Sequence, residues 1–455
     1  MTKFAARGWA AVLCVALLLA ACGAPAQVSP SSSHGPMTPS ASETASPDPA
    51  PIGEVVPAPG SASDLYAPNP GAITVAIDPG HGGCLDWGVP NPWDNTVANA
   101  EKTMVLGIAQ ALRDRLEAAG VRVVMTRQGD EALAGDDYPP QGCDGPPFRD
   151  VNGDGLAGFG PDLPEGTLAR DELQARIDLA NLARADVLLS IHINSFVEAD
   201  GTPIEIAATQ TFYTDETPWG PTAAAALADK VQAGAVDGLS AAPYTRQDRG
   251  TEAKNFYIVA PPLYEATADR PDPWKQPTRG ALMPAVLSEV GSISLEEEAA
   301  YISSPQGREA LAGGLFDGLA AWFAERPLAV HWQLAAAEAV PPAQEGDGPP
   351  FRAPDVAPDE PLPLSVTNSG TRPWPAGMQL VFGAERSDEP YLRRAPALEV
   401  GGVALPALAP GESVDVELAL PDRATERTLV WVDLRHGTAL LSDTGSPALQ
   451  LAIGD

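Results

Sequence analysis

The sequence predicts an α/β unit, a sheet with helices on its faces, followed by a small all-β unit of sandwich type. Three observations predict this. Between residues 73 and 323, short β-rich runs alternate with segments of helical period. Apolar residues make up 44% of the 455-residue chain, enough for a sizeable core. After residue 361 the helical period disappears, and short alternating runs recur between turns rich in Gly, Asn and Pro.

The chain opens with MTKFAARGWAAVLCVALLLAAC (1–22). Lys3 and Arg7 form a positive head, and Trp9 to Ala20 is an apolar run too short to span a bilayer. Leu19-Ala20-Ala21-Cys22 has the small residues and terminal thiol of a bacterial lipoprotein signal. The expectation is a lipid on Cys22 and anchorage to the outer face of the cell membrane, or its periplasmic side where two membranes exist. The alternative is an ordinary secretory signal that ends in Cys. Residues 23–70 are rich in Pro, Ser, Ala and Thr and read as a disordered tether; His34 lies there without an expected role.

Residues 71–326 are expected to form one catalytic unit. Ile73–Ile77 is a β-rich run, and Asp78-Pro79-Gly80-His81-Gly82-Gly83 ends it in tight turns. Glu101 opens a helix with Met104, Val105, Ile108, Leu112 and Leu116 on one face, closed by Gly120. Val121–Met125 is a second strand. A polar Gly/Pro-rich insertion fills 128–166, and a helix runs from about 168 to 184 with Leu173, Ile177 and Ala180 inward. Val187–Ile191 is a buried strand running into His192. Residues 208–213 form a strand and 220–236 an Ala-rich helix. A second irregular insertion spans 260–280, and Ala285–Leu287 is a strand leading to Glu289. Ser304-Pro305 supplies an N-cap and first-turn pair for the helix reaching Phe323. Residues 327–361 read as a linker. The all-β unit, 362–455, has strands at 362–366, 378–382, 414–418, 429–434 and 449–453, with His436 in a turn.

Charge excludes some functions. Formal net charge is −32 and no basic run appears, so nucleic acid is not an expected partner. A single long apolar run excludes a multipass membrane protein. Of four cysteines, Cys14 leaves with the signal and Cys22 takes the lipid. Cys84 and Cys143 remain in an oxidising compartment, where a disulfide between them is expected; two free thiols are the alternative.

In α/β sheets, ligands sit beyond the carboxyl ends of the strands. Three strands deliver His81, His192 and Glu289 there, and a helix start delivers Glu101. Two His and a carboxylate form a known hydrolytic zinc set with one position left for water. A further carboxylate would then serve as general base. Taken alone, each residue also has a structural reading: a satisfied histidine at a strand end, or a glutamate complementing a helix dipole.

The segments VAIDPGHGG (75–83), EKTMVLGIAQALRDRLEAAGVRVVMTR (101–127), RIDLANLARADVLLSIHINS (176–195) and PAVLSEVGSIS (284–294) resemble the zinc-dependent N-acetylmuramoyl-L-alanine amidases, bacterial cell-wall hydrolases. The four blocks occur in family order. The resemblance implies a central, mostly parallel sheet flanked by helices. It implies one zinc ion held by His81, Glu101 and His192, with Glu289 catalytic. The implied substrate is peptidoglycan, cut between the lactyl group of N-acetylmuramic acid and L-alanine. Ser292 and Leu295 stand where the family usually carries Phe and Asn, which bears on substrate positioning.

Other features lie outside that pattern. A Cys84–Cys143 bridge would pin the first insertion beside the metal, and the insertion is expected to shape or gate the cleft. Asp150-Val151-Asn152-Gly153-Asp154-Gly155 matches the first half of a calcium loop, but Pro161 occupies the twelfth position; a polar turn cluster is the alternative. In the all-β unit, Trp374 and Trp431 are candidates for exposed glycan-binding aromatics, against the reading that they are core. Rival functions are another zinc peptidase or amidohydrolase on the same scaffold, and a non-catalytic peptidoglycan-binding lipoprotein. The sequence names no protein activator.

Overall fold

The computed structural model describes residues 73–83, 86–134, 148–152, 155–158, 163, 166–216, 221–260, 280–326, 328–334, 338–339, 351–352, 361–386, 402–419 and 428–453. The expected signal with Cys22, the tether 23–70, Cys84 and Cys143 lie outside these residues. So do Gly153, Asp154 and Pro161 of the half calcium loop, most of the insertion 260–280 and most of the linker 327–361.

The first unit contains β1 (Thr74–Pro79), α1 (Glu101–Ala118), β2 (Arg122–Met125), α2 (Thr167–Leu182), β3 (Val187–Asn194), β4 (Ala208–Tyr213), α3 (Pro221–Gly238), β5 (Gln247–Ala253), β6 (Ala285–Ser292), α4 (Glu296–Ser303) and α5 (Pro305–Glu325). Its six strands lie in the order β2-β1-β3-β6-β4-β5. Only the β6–β4 pair is antiparallel; the other neighbours run parallel. The sheet is therefore mixed and mostly parallel, with helices on its faces.

Side-chain alternation along the strands sorts the two faces. Val75, Ile77, Val187, Leu189, Ile191, Val286 and Val290 pack on α1, α3 and α5. Ala76, Leu188, Ala285 and Leu287 point the other way, onto Ile177 and Ala180 of α2. Continuing the same alternation puts Asp78, Ser190, His192 and Glu289 on the α2 face, toward the carboxyl ends of their strands. α1 buries Met104, Val105, Ile108, Leu112 and Leu116, the face read from its period. α5 starts as its sequence predicts: Ser304 Oγ accepts the Gly307 N–H at 3.0 Å, with Pro305 in the first turn.

Some elements differ from the expectations. β6 does not stop near Leu287 but continues to Ser292, because Val290 and Ser292 are fully buried, so Glu289 lies inside a strand. The sequence does not predict β5: QDRGTEA has no apolar alternation, and the strand is mostly exposed as the sheet's edge. α4, an acidic single face, was also missed. No helix among the described residues is long and apolar enough to cross a membrane.

The all-β unit is built from β7 (Val330–Leu334), β8 (Glu338–Ala339), β9 (Phe351–Arg352), β10 (Leu362–Asn368), β11 (Gln379–Arg386), β12 (Val403–Ala404), β13 (Ser413–Leu418), β14 (Thr428–His436), β15 (Ala439–Leu440) and β16 (Leu449–Ile453). One sheet has the order β13-β10-β7 and the other β12-β11-β14-β16-β9-β8, with β15 on β14. Trp332, Leu364 and Val366 of the first meet Leu380, Phe382, Val430, Val432 and Leu451 of the second. Two corrections follow. β7 lies inside the segment expected to be linker, because pairing from Val330–Asn368 to Leu334–Leu364 satisfies its backbone against β10. Trp374 and Trp431 are 2% and 1% exposed, so they are core and not an open glycan platform.

The two units meet through buried polar bonds. Arg326, just past α5, donates to Asp186 Oδ1 and to Gly445 O, each at 2.8 Å. Asp186 Oδ2 accepts the Thr74 N–H at 2.8 Å. Trp332 Nε1 donates to Pro447 O at 2.9 Å, and Arg184 donates to Trp332 O. Thr74 and Asp186 stand at the amino ends of β1 and β3, so the all-β unit docks at the edge of the sheet opposite the carboxyl ends.

Removing one partner of a buried ion pair costs about 3–5 kcal/mol. Arg326→Met is therefore expected to lower the unfolding midpoint and separate the units into two calorimetric transitions; a single unshifted transition contradicts this junction.

A second stability prediction concerns Asp433, which is fully buried on β14. Burial pushes its carboxyl up to about 7, against hydrogen bonds from the Ser442 and Leu434 N–H groups. Between about pH 4 and pH 7 the unfolded chain ionises this group while the folded chain keeps the proton. Stability should fall as pH rises through that window, by up to about 4 kcal/mol. In Asp433→Asn the fall across that window should shrink, as read by denaturant unfolding at pH 4.5 and 7.5.

Candidate active site

The site is built on the turn after β1. Pro79 and Gly80 end the strand, and His81 takes a positive φ of 62°. For a residue with a Cβ, that conformation costs about 1–3 kcal/mol unless neighbours enforce it. Arg176, buried on α2, enforces it from below: Nη2 donates to His81 O at 2.6 Å, and Nη1 donates to Pro79 O at 2.8 Å and to Asp78 Oδ1 at 2.7 Å. Arg127, at the end of β2, donates to Pro79 O and Gly80 O at 2.9 Å each and to Lys102 O at 2.6 Å. Asp78 also accepts from Thr126 Oγ1 and Ser190 Oγ at 2.6 Å. Burial opposes its charge, but Arg176 and these donors hold its carboxyl down at about 2.

The turn brings His81 against Glu101, the first residue of α1, and His192 of β3. One ligand atom from each of these three side chains lies within 4.8 Å of the other two. Glu101 Oε1 is 3.2 Å from His81 Nε2 and 3.2 Å from His192 Nδ1. The carboxylate is held on both oxygens, Oε1 by the Ile193 N–H at 2.9 Å and Oε2 by the Val89 N–H at 2.7 Å. His81 Nδ1 faces Asp86 Oδ1 at 2.7 Å. With the proton on Nδ1, the Nε2 lone pair turns toward Glu101.

Two glycines make this approach sterically feasible. A Cβ on Gly80 would lie 2.3 Å from the His192 ring, and one on Gly88, whose φ is +81°, would lie 2.3 Å from Glu101 Oε2.

Burial works against charge on His81, but the carboxylates of Glu101 and Asp86 overcome it and raise the imidazole to about 10. Glu101 is also opposed by burial, and the two histidines hold it well below the usual carboxylate range. Glu289 stands opposite His192 in the β3–β6 register. Burial and the charge of Glu101 push its carboxyl up to about 8, while His81 and Lys254 pull it back. Its Oε2 is buried and accepts no hydrogen bond.

The donor set fits a divalent metal. His81 Nε2 is buried and close to Glu101, yet accepts or donates no aligned hydrogen bond. Two imidazoles and one carboxylate converge with an orphaned nitrogen aimed among them, which suits zinc and similar borderline ions. No other group of three such side chains occurs among the described residues. In the half calcium loop, Asp150 Oδ2 accepts the Gly155 N–H at 2.7 Å, and the N–H groups of Val151 and Asn152 go to Asp171. Those described residues behave as a polar turn.

Comparison with known proteins agrees with the geometry. A model of the N-acetylmuramoyl-L-alanine amidase family matches residues 75–321. The chain belongs to the N-acetylmuramoyl-L-alanine amidase family. It is thus an enzyme, an amidase acting on peptidoglycan. The germination-specific N-acetylmuramoyl-L-alanine amidase of Bacillus subtilis (strain 168) is 23% identical over 254 residues, 55% of this chain and 80% of that protein. An N-acetylmuramoyl-L-alanine amidase structure from Clostridium difficile 630 shares 25% identity, covers 56% of this chain and 98% of its own, and has a TM-score of 0.37. That of the amidase AmiC2 of Nostoc punctiforme shares 22%, covers 55% and 97%, and has a TM-score of 0.36.

Sequence reasoning about this amidase named His81, Glu101, His192 and Glu289, which the structure brings together, but missed the groups that aim them. Arg127 and Arg176 sit in the blocks quoted for the resemblance, yet nothing local marks an arginine as a backbone clamp. Asp86 could have been suspected: an acidic residue five positions after a candidate ligand, across a Gly-Gly turn, is within reach of it. α2 shows a further omission. Besides its apolar stripe it buries Asp171, Glu172 and Asn181. Glu172 accepts the N–H groups of Leu133 and Ala134, and Asn181 bonds Gly280 O and Leu282 N, so α2 fastens the described ends of both insertions.

Loss of a carboxylate that orients a ligating imidazole typically costs about 10–100-fold in metal affinity. Asp86→Asn is expected to weaken zinc binding in that range, as measured by competition with a chromogenic chelator. Unchanged affinity would remove Asp86 from the site's support.

Proposed function

We propose that this amidase hydrolyses the amide between the lactyl group of N-acetylmuramic acid and L-alanine, with one zinc ion held by His81, Glu101 and His192 and with Glu289 as the catalytic acid–base. The observation that carries the reading is the convergence of those three side chains beside Glu289, on the face where ligands of α/β sheets sit. Zinc bound there would supply Lewis-acid polarisation of the carbonyl and a neutral-pH nucleophile from water.

The chain's own residues account for the remaining steps. Asp86 keeps the proton on His81 Nδ1 and so presents Nε2 inward. Glu101, pinned by the Ile193 and Val89 N–H groups, places one carboxylate oxygen between the two imidazoles. Glu289 takes the proton of the attacking water on its carboxylate and returns it to the departing alanine nitrogen. A carboxyl raised toward neutrality by burial suits both halves of that transfer. Its Oε2, free of hydrogen bonds, is available to the water.

A wall substrate agrees with an extracytoplasmic location. The lipid on Cys22 rests on residues 1–22 alone, and intact-mass measurement of the membrane-extracted protein tests it.

The reaction is tested by digesting purified muropeptides with the zinc-loaded protein. The expected products are free stem peptides with N-terminal L-alanine. Glu289→Gln should retain zinc and lose about 10²–10⁴-fold in turnover. Cleavage at any other bond, or normal turnover in that variant, overturns the assignment.

A further inference from the structure

The regular pairing of β6 ends at Glu289 on both sides. Against β4, the register runs from Tyr213–Val286 to Gln210–Glu289. Against β3, Ile191 meets Ser288 and His192 meets Glu289, but Asn194 then meets Ser292. Two steps along β3 match three along β6, so β6 carries one extra residue immediately after Glu289. The core shows the same slip: Val290 and Ile293, three positions apart rather than two, enter one apolar cluster. Such a bulge is rare between parallel strands, and it bends the strand and re-aims the side chains beside it.

The bulge is held from α4. The buried Ser292 N–H points at that helix, and Glu298 Oε2 accepts it at 2.9 Å. The Ile293 N–H then returns to β3 by donating to Asn194 O at 2.8 Å. Of the three glutamates in the first turn of α4, Glu296 and Glu297 are exposed, as partners of a helix dipole commonly are. Glu298 is fully buried instead. Its Oε1 makes no hydrogen bond among the described residues. Burial pushes the carboxyl up to about 8, against the Ser292 N–H, Tyr244 and Arg246. Near neutral pH the group is therefore mostly uncharged, and what it supplies is an acceptor. Burying an acid is a costly way to obtain one acceptor, so a single hydrogen bond kept at that cost calls for a reason. Gly291 lets the carboxyl in: a Cβ there would lie 3.1 Å from Glu298 Oε1 and 2.4 Å from Ile302 Cδ1.

We propose that Glu298 is a positioning residue: by holding the Ser292 N–H it stabilises the bulge in β6 and so fixes the aim of the Glu289 carboxyl at the cluster of His81, Glu101 and His192. The proposal rests on the reading of Glu289 as the catalytic acid–base. Without the acceptor, the Ser292 N–H is paired most readily by returning β6 to regular register, with Gly291 opposite Asn194. That turns the chain directly after Glu289 and swings its side chain. A misplacement of about 1 Å is enough to cost on the order of 10²-fold in rate.

Glu298→Leu keeps the side chain's approximate size and removes the acceptor. With the zinc-loaded full chain and a muramoyl peptide, kcat should fall about 10–100-fold, while KM and zinc affinity stay within about twofold. Glu298→Gln, which keeps an uncharged acceptor, should return kcat to within about threefold of the wild type. In a Glu289→Gln background, Glu298→Leu should lower the residual turnover by less than about twofold, because the group it positions is gone. Should Glu298→Leu not fold, Gly291→Ala crowds the same carboxyl and should give the same selective loss of kcat. Unchanged kcat in the folded variant, a parallel loss of zinc, or a full further loss in the Glu289→Gln background overturns the proposal and leaves the amidase assignment standing. Normal turnover in Glu289→Gln alone removes the acid–base reading and this proposal together.

Discussion

The guanidinium of Arg176 is the interaction on which the active site depends. It is buried under the turn after β1 and binds Asp78, Pro79 O and His81 O together. A positive φ at His81 is unfavourable in an isolated chain, and Arg176 supplies the restraint that makes it the native conformation. The arrangement explains why a polar helix is packed against an apolar sheet. α2 contributes Ile177 and Ala180 to the core and, from the same turns, Arg176, Glu172, Asp171 and Asn181 to backbone groups of the surrounding loops. Each of those loops would otherwise bury unpaired N–H or C=O groups at a cost of about 1–3 kcal/mol apiece. One helix therefore serves as core element, clamp for the catalytic turn and fastener for the inserted segments.

Charge in the site is balanced the same way. One carboxylate, Glu101, faces two imidazoles and takes two backbone N–H groups, so its negative charge is fully committed. A second carboxylate, Glu289, stands nearby and feels the first as repulsion, which with burial raises its affinity for a proton. Two acids of one type are thus driven apart in behaviour by their surroundings. Glu101 stays ionised between the two imidazoles, and Glu289 is pushed up to about 8. A divalent ion among His81, Glu101 and His192 would displace the proton that His81 otherwise holds. Metal loading and protonation therefore compete for the same nitrogen.

Much of this was legible in the sequence, and the reason is geometric. Apolar residues at helical and alternating periods located β1, α1, β3 and α5, because burial acts on every residue of such an element. The candidate site was legible because residues with few structural uses fall at the carboxyl ends of buried strands, His81 just past β1 and His192 near the end of β3. What the sequence concealed has long-range causes. β5 is a strand because it completes the edge beside β4, although QDRGTEA shows no alternation. β7 pairs with β10 across a segment whose composition reads as linker. Trp374 and Trp431 could be exposed or buried by composition alone, and only the packing of two sheets decides it. Arg127, Arg176 and Asp86 act on backbone or ring atoms far along the chain, contacts that no local pattern encodes.

The all-β unit is bonded at the end of the sheet away from the candidate site. The reactive side chains cluster toward the carboxyl ends of β1, β3 and β6, whereas the all-β unit is bonded through Arg326, Asp186 and Gly445 under the amino ends of β1 and β3. β1 is six residues long, about 20 Å of strand between the two regions. β1 and β3, two of the elements that lie between the all-β unit and the site, are buried on either face and tightly packed. Such strands transmit little displacement, since interiors packed at crystal-like density have low compressibility.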